Sequence, residues 1–320
     1  MPAFTARAPG KIILFGEHAV VYGRPALAAP VSQVQARAIV MAEPRAPSGE
    51  VRLQAPAIGL DARLADLPAG HPLALAVQGV QTELGLGRLP ACTLRISSTI
   101  PVAAGLGSGA AVSVAVIRAL AAFLGRSLPA ERVSALAYEV EKVHHGTPSG
   151  IDNTVIAYAL PVYFVRGQAV EVLRLPAPFS VVIADTGIAS PTATAVGDLR
   201  QAWQANPAPY EALFDGAGRI ARAARQAIES GRPDELGPLM DENHALLQQM
   251  GVSCPELDRL VLAARGAGAA GAKLSGGGRG GNMIALAAPE REEAVTQALL
   301  AAGAVRAFAT RVRPPGKAAA

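Results

Sequence analysis

Residues 101–111 read PVAAGLGSGAA, with three glycines at alternate positions, and this segment constrains the fold most. It lies between an alternating stretch, Cys92–Ile100, and an apolar run from about Ala110 to Leu124. That order predicts strand, tight turn and helix. Gly105, Gly107 and Gly109 permit sharp backbone bends and close approach of a ligand. The helix that follows offers unpaired amide N–H groups and the positive end of its dipole. Together these make a phosphate cradle, with the Ser108 hydroxyl available to a phosphate or to Mg²⁺. The segment is not a Walker A loop, which needs G-x-x-x-x-G-K-[ST]. On its own it also fits a plain strand–helix turn.

Two further glycine clusters behave differently. Gly266–Gly271, GAGAAG, matches G-x-G-x-x-G in form, but a helix precedes it and a strand follows. A dinucleotide site needs the reverse order, so this match is discounted. Lys273–Asn282, KLSGGGRGGN, joins two strands, and five of its ten residues are glycine. It reads as a backbone-lined wall against a ligand or another loop, or as a simple hairpin loop.

Polar residues capable of chemistry are few. Glu141–Asn153, EKVHHGTPSGIDN, places Glu141 late on a predicted helix and Asp152 at the start of the next, across a turn favoured by Gly146, Pro148 and Gly150. A turn of this kind can bring two carboxylates to one pocket, one for a metal and one for a reacting hydroxyl. The plain alternative is two solvated carboxylates at helix ends. A Ser149–His144–Asp152 hydrolase lacks the G-x-S-x-G elbow, and adjacent His144 and His145 point apart on a helix. Near the N-terminus, APGKIILFGEHAVVYG (8–23) sets Lys11, Glu17 and His18 around an apolar strand.

Composition removes several classes. The 320 residues are 51% hydrophobic, 17% charged and 4% aromatic, which excludes a disordered chain. A net charge of +4 is spread along the sequence, with no basic run or aromatic platform for nucleic acid. Cys92 and Cys254 form neither a disulfide framework nor a zinc site, so a reducing compartment is expected. The start, MPAFTARAPGK, lacks the pattern of a secretory signal. Pro101–Ile117 is uncharged but glycine-interrupted and ends at Arg118, so it reads as buried loop and helix rather than a membrane span.

Strands are expected at Lys11–Phe15, Val34–Met41, Cys92–Ile100, Val181–Asp185, Ala272–Ser275, Met283–Ala287 and Arg306–Thr310, with a hairpin around Gly167. Helices are expected at His71–Leu84, from Ala110 and Pro129, through Pro191–Ala264, and at Glu290–Ala301. Mixed elements in both halves predict an α+β fold rather than a doubly wound parallel sheet. The proline-punctuated LPAPF near 175 suggests two domains, 1–175 and 176–320.

In order, the segments at 8–23, 101–111, 145–153 (HGTPSGIDN) and 273–282 resemble the motifs of the GHMP kinases, the superfamily of galactokinase, homoserine kinase, mevalonate kinase and phosphomevalonate kinase. GEHAVVYG and HGTPSGIDN are most similar to the mevalonate kinase branch. The resemblance implies a two-domain α+β GHMP kinase fold with ATP and substrate in the cleft between domains. It implies that Pro101, Val102, Ala103, Ala104, Gly105, Leu106, Gly107, Ser108, Gly109, Ala110 and Ala111 wrap the ATP phosphates. Ser108 and Glu141 would hold Mg²⁺. Asp152 would be the catalytic aspartate, with Lys11 stabilising the developing charge, and Lys11, Glu17, His18, Asp152 and Thr192 would meet mevalonate. The third glycine cluster would support the phosphate loop. A cytoplasmic enzyme without nucleic-acid or membrane partners follows from the same likeness, and a homodimer is a family-level expectation. Another small-molecule kinase of the superfamily, a non-catalytic sensor and an ATP-dependent decarboxylase are the alternatives.

Three positions depart from many relatives. Gly109 replaces a second serine, Ala193 replaces a lysine after Thr192, and Arg279 and Asn282 stand where others have glycine and cysteine. Arg279 is expected either to add a phosphate contact or to face solvent.

Overall fold

The computed structural model describes residues 3–101, 104–145, 148–190 and 192–314, with His144 and His145 by backbone alone. The chain packs as two compact units that interleave in sequence. One is Met1–Gly10, Val31–Pro101 and Gly107–Ala159; the other is Lys11–Pro30, Val102–Leu106 and Leu160–Ala320. Residue 175, where the sequence suggested a boundary, lies inside the second unit.

In the first unit, β1 (Ala3–Phe15) pairs with β2 (Ala26–Ala42). β3 (Val51–Ala55) and β4 (Leu60–Arg63) follow, then α1 (Pro72–Glu83) and β5 (Cys92–Ser98). Residues 36–42 of β2 run antiparallel to β5, β5 runs parallel to β3, and β3 closes antiparallel on β4. The β3–β4 pair was not anticipated: each strand is short, and β4 alternates between half-buried and exposed residues. Helices α2 (Ser108–Phe123), α3 (Ala130–His145) and α4 (Ile151–Tyr158) complete the unit. The face predicted for α1 is the one it buries, through Leu73, Val77 and Val80. The alanine- and valine-rich α2 is buried along most of its length and packs on α1, α3, α4 and β5. Small side chains let three helices and a strand approach it closely.

In the second unit, β6 (Val162–Phe164) pairs with β7 (Glu171–Val172) around Gly167, and with residues 26–28 of β2. β8 (Phe179–Asp185) leads into α5 (Thr192–Ala205), α6 (Pro207–Glu229), α7 (Leu236–Gln249) and α8 (Pro255–Gly266). Then come β9 (Gly271–Ser275), β10 (Asn282–Leu286), α9 (Glu292–Ala301) and β11 (Arg306–Val312). The last four strands form an antiparallel sheet in the order β11-β8-β10-β9. Phe214, Leu247, Leu257, Val261, Leu274 and Met283 lie in its core. Among the described residues no helix is long and apolar enough to cross a membrane.

Candidate active site

The first unit carries one half of the predicted chemistry. Gly107 adopts a left-handed conformation (φ 74°, ψ 35°) at the N-cap of α2 and supplies no side-chain cap. The N–H groups of the first turn are thus left for a ligand, and the helix dipole favours an anion there. Ser108 is the first helical residue. Glu141 of α3 is buried at 5% exposure. A Cβ at Gly109 would stand 3.1 Å from its Oε1, so the carboxylate lies against the first turn of α2 beside Ser108. A hydroxyl and a carboxylate at the phosphate-binding end of a helix are hard oxygen donors that fit Mg²⁺, which takes one or two carboxylates together with substrate phosphates. Among the described residues there is no group of three or more His, Cys, Asp or Glu that could hold a metal.

Asp152 sits in the first turn of α4, behind a left-handed Gly150. Its neighbours fix the helix on α3. The Asn153 amide donates to Ser134 O (3.1 Å) and Ser134 Oγ (2.9 Å), and Thr154 Oγ1 donates to Gly150 O. Asn153 and Thr154 are buried while Asp152 is half-buried.

The second unit holds the N-terminal motif and the third glycine cluster. The amide of Lys11 donates to Leu106 O (3.0 Å), which ties the start of this segment to the phosphate loop. Asn282 Nδ2 donates to Ala104 O in the same loop, so the support expected from the third cluster is a direct hydrogen bond. Glu17 is fully buried and ion-pairs through Oε1 with Lys273, itself fully buried. His18 Nε2 lies 3.1 Å from Gly277 O. A carbonyl only accepts, so Nε2 carries the hydrogen. Burial pushes the His18 pKa down to about 4, the carbonyl bond opposes this, and Arg279 and Lys273 reinforce it. The ring is therefore neutral at pH 7, with a bare lone pair on Nδ1. A Cβ at Gly277 would come 2.4 Å from Thr192 Oγ1, so only glycine lets Thr192, at the start of α5, sit against this loop.

Arg279 is tied into the fold while its side chain stays partly exposed. Its guanidinium pairs with Asp198 of α5 and donates to Gly251 O (3.3 Å), while its amide donates to Val252 O (2.9 Å). Lys11, Glu17, His18, Thr192 and residues 104–106 thus fall in the second unit, and Ser108–Ala111, Glu141 and Asp152 in the first. Val102 and Ala103 lie outside the described residues. Lys273 and Ser275 of β9 are buried polar residues beside this segment that were not among the expected site residues. The available signal was polar residues at alternate positions of an otherwise apolar strand, GAKLS.

Residues 73–159 match the family model of the GHMP kinases N terminal domain, and residues 224–305 match the GHMP kinases C terminal model. A mevalonate kinase of Thermococcus sibiricus is 37% identical over 318 residues, covering 93% of each chain. The chain belongs to the GHMP kinase family. A mevalonate kinase of Pyrococcus horikoshii is 35% identical to this GHMP kinase, covering 97% of this chain and 96% of its own. Among solved structures, L. major mevalonate kinase in complex with R-mevalonate is similar at TM-score 0.82 and 32% identity, over 99% of this chain and 97% of that one. Methanococcus jannaschii mevalonate kinase shares the fold at TM-score 0.82 and 24% identity, over 98% and 99%.

Proposed function

We propose that this chain transfers the γ-phosphoryl group of ATP to the 5-hydroxyl of (R)-mevalonate, giving 5-phosphomevalonate and ADP for isoprenoid synthesis. The observation that carries the phosphoryl-transfer part is the uncapped N-terminus of α2 with Ser108 in its first turn and the Glu141 carboxylate against it. Mevalonate as acceptor rests on similarity, at 37% identity over nearly the whole chain, to a mevalonate kinase.

Phosphoryl transfer asks for alignment and charge neutralisation more than for covalent chemistry. In this reading Pro101–Ala111 and the α2 amides bind the ATP phosphates, and Ser108 and Glu141 hold Mg²⁺. When bound, the ion neutralises charge on the phosphate oxygens. Asp152 takes or orients the proton of the attacking hydroxyl. Lys11 stabilises the developing alkoxide and the transferring group. Glu17, His18 and Thr192 hold mevalonate together with Lys11 and Asp152. Neutral His18 offers Nδ1 as an acceptor for a substrate hydroxyl. The reading assigns the phosphate loop and catalytic aspartate to a domain within 1–175, with 176–320 as the second domain. It places the enzyme in the cytoplasm and, by family analogy, as a homodimer.

The test is coupled ADP release with mevalonate, phosphomevalonate, homoserine and galactose. Preference for mevalonate is expected; preference for another acceptor, or ATP binding without turnover, overturns the assignment. In the same assay Asp152→Ala is expected to lower kcat about 10²- to 10⁴-fold, the usual share of a general base, with nucleotide affinity retained. A near-normal kcat would remove Asp152 from that role.

A further inference from the structure

Lys273 is a fully buried lysine in the middle of β9, flanked by Ala272 and Leu274. Burying an ammonium is costly unless it is paired and hydrogen-bonded. Here it bonds Glu17 Oε1 and donates to Leu274 O at 2.7 Å. With no exposed surface and these two partners, it is not placed as a substrate ligand.

The residues around it follow the two-residue period of an extended chain. Lys273 meets Glu17. Ser275 accepts from Ile13 N (3.1 Å) and donates to Ile13 O (2.9 Å). Gly277 accepts from His18. Three successive alternate positions of the strand and loop therefore grip residues 13–18, two of them at Glu17 and His18. The grip matters because the segment holds a conformation that its own backbone disfavours. His18 has φ 59° and ψ −50°, a backbone conformation that a side chain with a Cβ rarely adopts. Two buried polar atoms of the segment, Glu17 Oε2 and His18 Nδ1, have no hydrogen-bond partner among the described residues. An acceptor oxygen and an acceptor nitrogen on adjacent residues suit a ligand bearing hydroxyl groups.

We propose that Lys273 is a positioning residue: by fixing Glu17 Oε1 it presets Glu17 Oε2 and His18 Nδ1 as a pair of acceptors for the hydroxyl-bearing substrate. This rests on the reading of Glu17 and His18 as acceptor-substrate contacts. Phosphate binding is assigned to other residues, so the two substrates should respond differently to loss of Lys273.

The test compares wild type with Lys273→Met, Lys273→Arg and the charge-neutral pair Glu17→Gln/Lys273→Met, which keeps the experiment open should Lys273→Met alone not fold. Lys273→Met is expected to raise KM for mevalonate about 10- to 100-fold, the scale of a misplaced contact. KM for ATP should stay within about twofold, and Lys273→Arg should recover most of the loss. A purely structural role would shift both KM values with the melting temperature. A second readout needs no substrate. In protein carrying ¹⁵N-histidine, the His18 ring, assigned by its absence in His18→Gln, should show a single Nε2-protonated neutral tautomer at pH 7. In Lys273→Met, or in the double variant, it should show mixed tautomers. Unchanged His18 ring signals and an unchanged mevalonate KM in a folded variant overturn the proposal. If wild type does not use mevalonate, the substrate reading fails, while the ring spectrum still decides whether Lys273 sets His18.

Discussion

Gly109 shows how one missing side chain can be read. It stands where many relatives carry a second serine, in the first turn of α2, and a Cβ there would lie 3.1 Å from Glu141 Oε1. The contact is tight, but its partner is the end of a flexible side chain that can move by a few tenths of an ångström. Gly109→Ser also replaces the poorest non-proline helix former, a gain of about 0.5 kcal/mol. The variant is therefore expected to fold with an equal or higher melting temperature. A second hydroxyl beside Glu141 should lower the half-saturating Mg²⁺ concentration for turnover and tighten Mg²⁺·ATP binding by calorimetry. An unchanged Mg²⁺ requirement would mean that Ser108 and Glu141 already make up the protein's whole share. Glu17 and His18 were legible in the sequence because two polar residues stand there among apolar ones. Lys273 stands out in its apolar strand in the same way, but its partner lies 256 positions away and the local alternation does not say which residue it meets.

At the level of elements, the loop from β9 to β10 joins α5 and the α7–α8 connection through Arg279. This residue has φ 54°, in the left-handed region that costs an ordinary side chain about 1–2 kcal/mol. Its pairing with Asp198 is partly exposed, and such pairs contribute about 0–1 kcal/mol. Arg279→Ala loses the pair and keeps the strain, whereas Arg279→Gly loses both. Arg279→Gly should therefore be more stable than Arg279→Ala by about 1 kcal/mol in denaturant unfolding, and within about 1 kcal/mol of wild type. The reverse order would show that the left-handed backbone is not where the cost lies. Helices α1, α2, α3 and α9 and strands β5, β8, β9 and β10 were legible because periodicity and glycine punctuation are local signals. The length of β1 and β2 was not. Each is assigned in part to one unit and in part to the other, and their apolar patterning changes along their length. The interleaving of the units leaves no composition shift at residues 10, 30 or 106 for a reader to find.

The response of the whole molecule to acid follows from two buried histidines. Burial pushes both His18 and His244 down to about 4 from an ordinary 6.5. His244 accepts from Leu274 N at Nδ1 (3.3 Å), so its hydrogen is on Nε2, directed at Asp258 Oδ1 (3.1 Å), in a neutral ring. A histidine lowered on folding contributes stability that is complete above 6.5. That stability is lost as pH falls from 6.5 to 4, because only the unfolded chain takes up the proton in that window. Each ring accounts for up to about 3 kcal/mol. The surface carboxylates held low by arginines, Asp61, Glu83 and Glu171, act in the same direction but only below the ordinary carboxylate range. Burial pushes Glu17 up and Lys273 down. A raised Glu17 takes its proton in the folded chain first, so just above 4.5 it opposes the histidines, equally in wild type and in His244 variants. The melting temperature should therefore carry a histidine contribution that is level from pH 8 to 7 and falls from 6.5 to 4.5. His244→Gln, whose amide can replace both hydrogen bonds without titrating, should remove about half of that fall. A His244→Gln curve parallel to wild type over that range would show that His244 is not buried as a neutral ring.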